Sequence, residues 1–268
     1  MLIDYHLHNH FSPDSEEDTR KIIEMAIKRG MQDICITNHV DWFDIFDLNE
    51  SIERFKKIQE EIDLLQPEYG IPIRLGCELE LMPGRMDELA EFVKQVPLDF
   101  VLGSVHHIDG GVISSHKYAD AAFEGRTEEE AYHNYFDNMV ELIDWGHFDV
   151  ASHFDICKKY GHKFYGLFDP EKYKDRIIPI LKMMALKNIG LELNTKCLHI
   201  KCKEIFPHPT ILKWALEAGI KNFTLSSDAH TEADVSEHIK EALEIAKSVG
   251  IKEISTYYQR QAILHPIQ

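Results

Sequence analysis

The chain has 268 residues, 44% of them hydrophobic and 28% charged, which supplies one large core and excludes a disordered polymer. The formal net charge is −17 and no basic stripe accompanies it, so a nucleic-acid surface is not expected. No apolar run reaches the ~20 residues needed to cross a bilayer.

The opening MLIDYHLHNH lacks the charged and apolar regions of a secretory signal, and a cytoplasmic address is expected. Residues 2–6 (LIDYH) read as a strand, followed by a helix over 19–30 that ends on a glycine. Residues 33–37 read as a strand, 51–66 as an amphipathic helix, 71–81 as a strand and 86–96 as a helix. Residues 99–106 are β-like. The stretch 107–126 is irregular, and its His116 and Lys117 are expected to form a wall or lid over a site. A helix over 128–146 precedes a strand over 148–153. The pattern then gives a helix over 170–188, a strand over 189–195, a helix over 209–219 and a strand with its exit over 223–230. The last long helix is expected over 235–250 and a final strand over 253–258.

This alternation predicts a parallel sheet in one domain spanning residues 1–268. At this length a closed α/β barrel is favoured over an open doubly wound sheet. No GxGxxG follows the first strand, which argues against a dinucleotide fold. The cysteines Cys35, Cys77, Cys157, Cys197 and Cys202 form no CxxC pair. Reduced, buried thiols are expected, not a disulfide framework or a thiolate zinc site.

The polar residues gather at strand ends. His6 and His8 close the first strand, with Asp14 just beyond; His39 follows the second and Glu78 lies near the end of the third. His106 closes the fourth strand, His153 the fifth, and Asp228 and His230 the last. In a β/α barrel all parallel strands end at one face, so these residues converge. Side chains at i and i+2 on a strand point the same way, so His6 with His8, and Asp228 with His230, can each face one ion. Any one of these residues alone would read as an ordinary hydrogen-bonded histidine, ion-pair carboxylate or cap. Their joint placement predicts a metal site of imidazoles and carboxylates, suited to zinc, iron or manganese and to hydrolysis.

The ordered set HxH, a histidine after strand two, Glu, His, His and DxH resembles the polymerase-and-histidinol-phosphatase (PHP) superfamily over nearly the whole chain. The stretches GSVHHIDG, HFDVASHFDICKKYG, LELNTK and FPHPTIL are similar to its stand-alone histidinol-phosphate phosphatases. The resemblance implies a distorted TIM-like barrel of seven β/α units with its site at the C-terminal strand ends. It implies two or three divalent ions (Zn, Fe or Mn). The first would be held by His6, His8, Glu78 and Asp228, the second by Glu78, His106 and His153, and the third by Asp14, His39 and His230. It also implies hydrolysis of a small phosphomonoester, L-histidinol phosphate, with Asp14 or His230 as candidate proton donor. Lys158, Lys159 and His199 are candidate phosphate contacts.

Two positions depart from the family pattern. Asn38 stands in TNH where TDH is common. The loop after LELNT often carries an arginine, where this chain offers Lys196, His199 and Lys201. Other readings are a different phosphomonoester, a non-catalytic metal-binding module, or an amidohydrolase-like enzyme. The last shares HxH on the first strand but commonly uses a carboxylated lysine, where this chain has Glu78 and His106.

Overall fold

The computed structural model describes residues 1–41, 46–199 and 203–267, and all their side chains except that of His199. The strands are β1 (Ile3–Leu7), β2 (Asp33–Ile36), β3 (His39–Val40), β4 (Ile73–Glu80), β5 (Phe100–Ser104), β6 (His107–Ile108), β7 (Gly111–Val112), β8 (Val150–Ala151), β9 (Gly190–Asn194), β10 (Phe223–Ser226), β11 (Glu253–Tyr258) and β12 (Gln261–Pro266). The helices are α1 (Thr19–Lys28), α2 (Leu48–Leu65), α3 (Met86–Gln95), α4 (Ala119–Phe123), α5 (Glu128–Trp145), α6 (Lys158–Tyr165), α7 (Lys174–Leu186), α8 (Pro209–Ala218) and α9 (Ile239–Val249).

The main sheet runs β1-β2-β4-β5-β8-β9-β10, with β3 pairing β4. Every pair within it is parallel. A further parallel bridge joins Leu7 at the end of β1 to Ala229 just past β10, so the sheet curls almost shut. Its strands are buried along nearly their whole length, because helices cover the outside and side chains fill the inside. The predicted barrel of seven units is thus the observed architecture.

Local chemistry sets the helix ends. Asp18 and Asp47 accept backbone N–H bonds at the starts of α1 and α2. Thr127 and Glu130 form a reciprocal capping box on α5, and Gly146 ends that helix in a left-handed conformation. Gly103 in β5 is required by packing, since a Cβ there would meet the Phe148 ring at 2.6 Å.

Several elements differ from the sequence reading. The stretch 107–126 contains the β6–β7 hairpin and α4. The α6 helix was not anticipated, because KKYGHKFY carries a glycine and little apolar periodicity. The helix expected from residue 235 starts at Ile239. Ser236 and His238 take left-handed φ values of 56° and 58°, and the Ser236 N–H and Oγ both donate to Asp4, each at 2.9 Å. The final strand β11 does not join the barrel but pairs antiparallel with β12. Gln259 and Arg260, with φ 48° and 64°, make the primed turn that hairpins favour. The hairpin packs across the N-terminal end of the barrel, where Gln259 N donates to Asp99 (2.9 Å) and Tyr257 N to the Tyr5 hydroxyl (3.1 Å).

Cys35, Cys77 and Cys157 are buried free thiols, as expected. Cys197 corrects that expectation, since it is disulfide-bonded. Among the described residues no helix is long and apolar enough to cross a membrane.

Candidate metal centre

The parallel register explains how distant residues meet. The β3–β4 ladder sets His39 beside Glu78, and the β4–β5 ladder carries Glu78 beside Leu102, two residues before Ser104. Glu78 therefore sits in the middle of the C-terminal face, 1% exposed. Its two oxygens look in different directions. Oε2 lies 3.0 Å from His6 Nε2, 3.6 Å from His8 Nε2 and 3.1 Å from His39 Nδ1. Oε1 lies 2.9 Å from His153 Nε2 and 3.4 Å from His106 Nε2. Asp228 Oδ1 completes the first group, 3.9 Å from His6 Nε2 and 3.7 Å from His8 Nε2. Asp14 Oδ2 closes a third, 3.4 Å from His39 Nε2 and 3.0 Å from His230 Nε2.

All the strand-end residues singled out in the sequence are thus brought to one place. Their donor atoms fall into sets whose members lie within 4.8 Å of one another: His6–His8–Asp228, Glu78–His106–His153 and His8–Asp14–His39–His230. A fourth set, His39–Asp41–His106, includes an aspartate that sequence reading missed. Nothing in the sequence marked Asp41, since it lies two residues beyond a histidine that already accounted for its strand.

Divalent metals fit this chemistry. His6 Nε2, His8 Nε2 and His39 Nδ1 are buried and have no hydrogen-bond partner, despite carboxylates close by. Buried ring nitrogens left unpaired are costly unless something else accepts their lone pairs. The outer nitrogens are fixed from behind: His6 Nδ1 is 2.7 Å from Glu192 Oε1 and His230 Nδ1 is 3.0 Å from the Asp228 carbonyl. Each such bond places the proton outside and turns the lone pair of Nε2 inward, as metal-binding imidazoles require. Ser104 Oγ donates to Glu78 at 2.6 Å. Asp228 holds a left-handed φ of 54°, a strained conformation of the kind that clusters at functional sites.

The charges are interdependent. Burial pushes the Glu78 carboxyl up, but His6, His39 and His106 outweigh it and hold it well below the usual carboxylate range. Burial, with His230, His39 and His6 nearby, drives His8 well below the ordinary histidine value, which leaves it neutral. For His39, burial is overcome by Glu78 and Asp41, and its pKa rises to about 10.

Above the cluster lies a cavity of about 560 Å³. Ser114, His116 and Tyr118 form one wall, so the 107–126 stretch does face the site, and Lys159 and Lys196 line the cavity as well. Lys159 Nζ donates to the Ser114 carbonyl at 3.0 Å. Lys196 Nζ donates to the Asp228 carbonyl at 2.9 Å and lies 3.4 Å from Asp234. Lys158 corrects its sequence assignment as a phosphate contact. It turns away and is 1% exposed, bound to Asp155 (2.9 Å), the Ile205 carbonyl (2.8 Å) and Glu204 (3.4 Å). The His199 side chain and Lys201 lie outside the described residues. Asn38 pairs with Asn9: its Nδ2 donates to Asn9 Oδ1 at 2.6 Å, and its Oδ1 accepts the Asn9 backbone N–H at 3.0 Å. Glu192 was missed because its strand, IGLELNT, offered no strand-end histidine.

The PHP domain profile matches residues 4–196 of the chain. The chain belongs to the PHP domain family. This PHP protein is 29% identical to the histidinol-phosphatase of Lactococcus lactis over 259 residues, which is 95% of this chain and 94% of the relative. It is 26% identical to a probable histidinol-phosphatase of Deinococcus radiodurans over 264 residues, 97% of this chain and 98% of that one. The PHP fold superposes on the crystal structure of the L. lactis histidinol phosphate phosphatase, complexed with zinc, L-histidinol and phosphate. The TM-score is 0.81 at 26% identity, covering 98% of both chains.

Proposed function

We propose that the protein is a metal-dependent phosphatase that hydrolyses L-histidinol phosphate to L-histidinol and phosphate, working as one domain over residues 1–268. What carries the reading is the convergence of unpaired imidazole nitrogens around a carboxylate with two facing oxygens, under a cavity edged by two lysines. Full-length similarity to histidinol-phosphatases supports the substrate.

His6, His8, Glu78 and Asp228 would hold one divalent ion, Glu78, His106 and His153 a second, and Asp14, His39 and His230 a third, with zinc, iron or manganese as candidates. Such ions activate water at neutral pH and neutralise charge on the phosphoryl group. The chain does the rest. Glu78 spans two positions, because its oxygens face different histidines. Lys159 and Lys196 approach the phosphate from the β8 and β9 side as point charges, a role arginine fills more rigidly. Asp14 and His230, 3.0 Å apart, are the side chains that could deliver a proton to the leaving alkoxide if the third position holds no ion. Barrel walls and the 107–126 segment limit water around the reacting phosphorus.

The test is phosphate release by protein reconstituted with zinc, manganese or iron, across a panel of monoesters. L-Histidinol phosphate is expected to give the highest kcat/KM. Preference for another monoester by roughly tenfold or more would replace the substrate assignment, and no turnover with any of the three metals would remove the phosphatase reading.

A further inference from the structure

We infer that Lys158 is a positioning residue for phosphate binding: buried away from the cavity, it fixes the segment 204–208, which in turn holds Lys196 in place. The inference rests on the phosphatase reading above and gives a role to a buried lysine that the reading leaves unused.

Lys158 opens α6 and pairs with Asp155 at 2.9 Å; the two residues are 1% and 0% exposed. A buried ion pair is weak evidence for stability, since packed apolar residues often serve as well or better. Asp155 Oδ1 is moreover buried with no hydrogen-bond partner among the described residues. What the pair does achieve is a grip on one strap of chain from two sides. Lys158 Nζ donates to the Ile205 carbonyl at 2.8 Å and lies 3.4 Å from Glu204, while Asp155 Oδ2 accepts the His208 N–H at 2.9 Å. Phe206, in the middle of the strap, has its ring centroid 5.2 Å from Lys158 Nζ. The same ring stands edge-on to His153, with 6.5 Å between centroids.

The strap is bonded to the end of β9. Asn194 N donates to the Phe206 carbonyl at 2.7 Å, and Phe206 N returns a bond to the Asn194 carbonyl at 3.0 Å. The Asn194 side chain passes the constraint on: its Oδ1 accepts the Lys196 N–H at 2.9 Å, and its Nδ2 donates to Glu192 at 3.1 Å. Lys196 therefore leaves β9 from an asparagine that the strap clamps in place. Placement matters for a lysine, because a point charge has no planar fork to match the phosphate oxygens and its attraction depends on distance. A competing account must be separated. Thr195 is held from another side, its N–H by the Ser226 carbonyl (2.9 Å) and its Oγ1 by the Glu237 carbonyl (2.8 Å). If those bonds suffice to place Lys196, Lys158 only packs.

The experiment replaces the whole ion pair by apolar residues of similar volume, Lys158→Met with Asp155→Leu, so that no charge is left buried alone. Zinc-loaded wild type, this double variant, Lys196→Ala and the combination of all three are compared at measured metal content. The double variant is expected to melt close to the wild type and to keep its zinc. Its KM for L-histidinol phosphate and its inhibition constant for inorganic phosphate are both expected to rise about tenfold, with a smaller change in kcat. In the Lys196→Ala background the same replacement should add no more than about a twofold loss, because the two changes remove one interaction. Wild-type constants in the folded double variant, or losses that add in full to those of Lys196→Ala, overturn the inference. Should the double variant fail to fold, Asn194→Ala takes its place, since it leaves the ion pair intact and removes the bond to Lys196 N. The same rise, again not additive with Lys196→Ala, is then expected, and unaltered phosphate constants overturn the inference. A wild type that hydrolyses no phosphomonoester instead removes the reading beneath it.

Discussion

Glu192 Oε1 lies 2.7 Å from His6 Nδ1, while Oε2 of the same carboxylate accepts the His153 backbone N–H at 2.6 Å. One buried side chain on β9 therefore holds a histidine of one metal set and the backbone of a histidine from another. Ser226 Oγ (2.5 Å) and Asn194 Nδ2 (3.1 Å) satisfy its remaining acceptor positions. Glu192→Gln keeps the shape but weakens the hold on the imidazole proton. Metal affinity, measured by competition with a chromophoric chelator, should fall about 10- to 100-fold. Unchanged affinity would show that His6 is oriented by packing alone.

The adjacent lysines should separate cleanly. Lys158 is buried against Asp155, so Lys158→Ala leaves that carboxylate uncompensated and should cost about 3 kcal/mol in urea unfolding. Lys159→Ala and Lys196→Ala should leave stability nearly unchanged and raise KM for the phosphoester. A KM effect from Lys158→Ala without loss of stability would reverse this assignment.

The metal-free protein should carry a pH signature from His39. Its folded pKa is raised to about 10 from 6.5, burial being outweighed by Glu78 and Asp41. A raised value means that the fold binds the proton more tightly than the unfolded chain does. The stabilisation is complete below pH 6.5 and is lost as pH rises toward 10. Urea midpoints in the presence of chelator should decline across that window, and His39→Gln should flatten the decline. Metal uptake near pH 7 should release protons, which is visible as buffer-dependent heats in calorimetry.

Chelation should also lower thermal stability, because it leaves unpaired nitrogens and mutually repelling imidazoles facing one another. Added zinc or manganese should raise the melting temperature in a concentration-dependent way. An identical melting curve with and without chelator would argue that the cluster is satisfied without ions.

A control lies far from the site. Thr127→Ala removes the capping box on α5 and should cost about 1 kcal/mol, with kcat/KM unaltered.

The barrel and the positions of its polar strand ends were legible in the sequence. Alternating periodicities dictate a parallel sheet, and parallel strands must end on one face, so His6, His8, His39, Glu78, His106, His153, Asp228 and His230 had to converge. Tertiary structure decided what depends on side-chain direction and on elements that periodicity does not encode. Lys158 and Lys159 are neighbours in sequence, yet the turn into α6 buries one and offers the other to the cavity. Glu192 looked like an ordinary strand residue until packing set it behind His6. The segment before α9 reads as helix, but bonds from Ser227 and Ser236 to Asp4 bend it out of helical geometry. Local pattern fixes which residues reach the face of a sheet; only long-range packing determines which of them are turned toward one another.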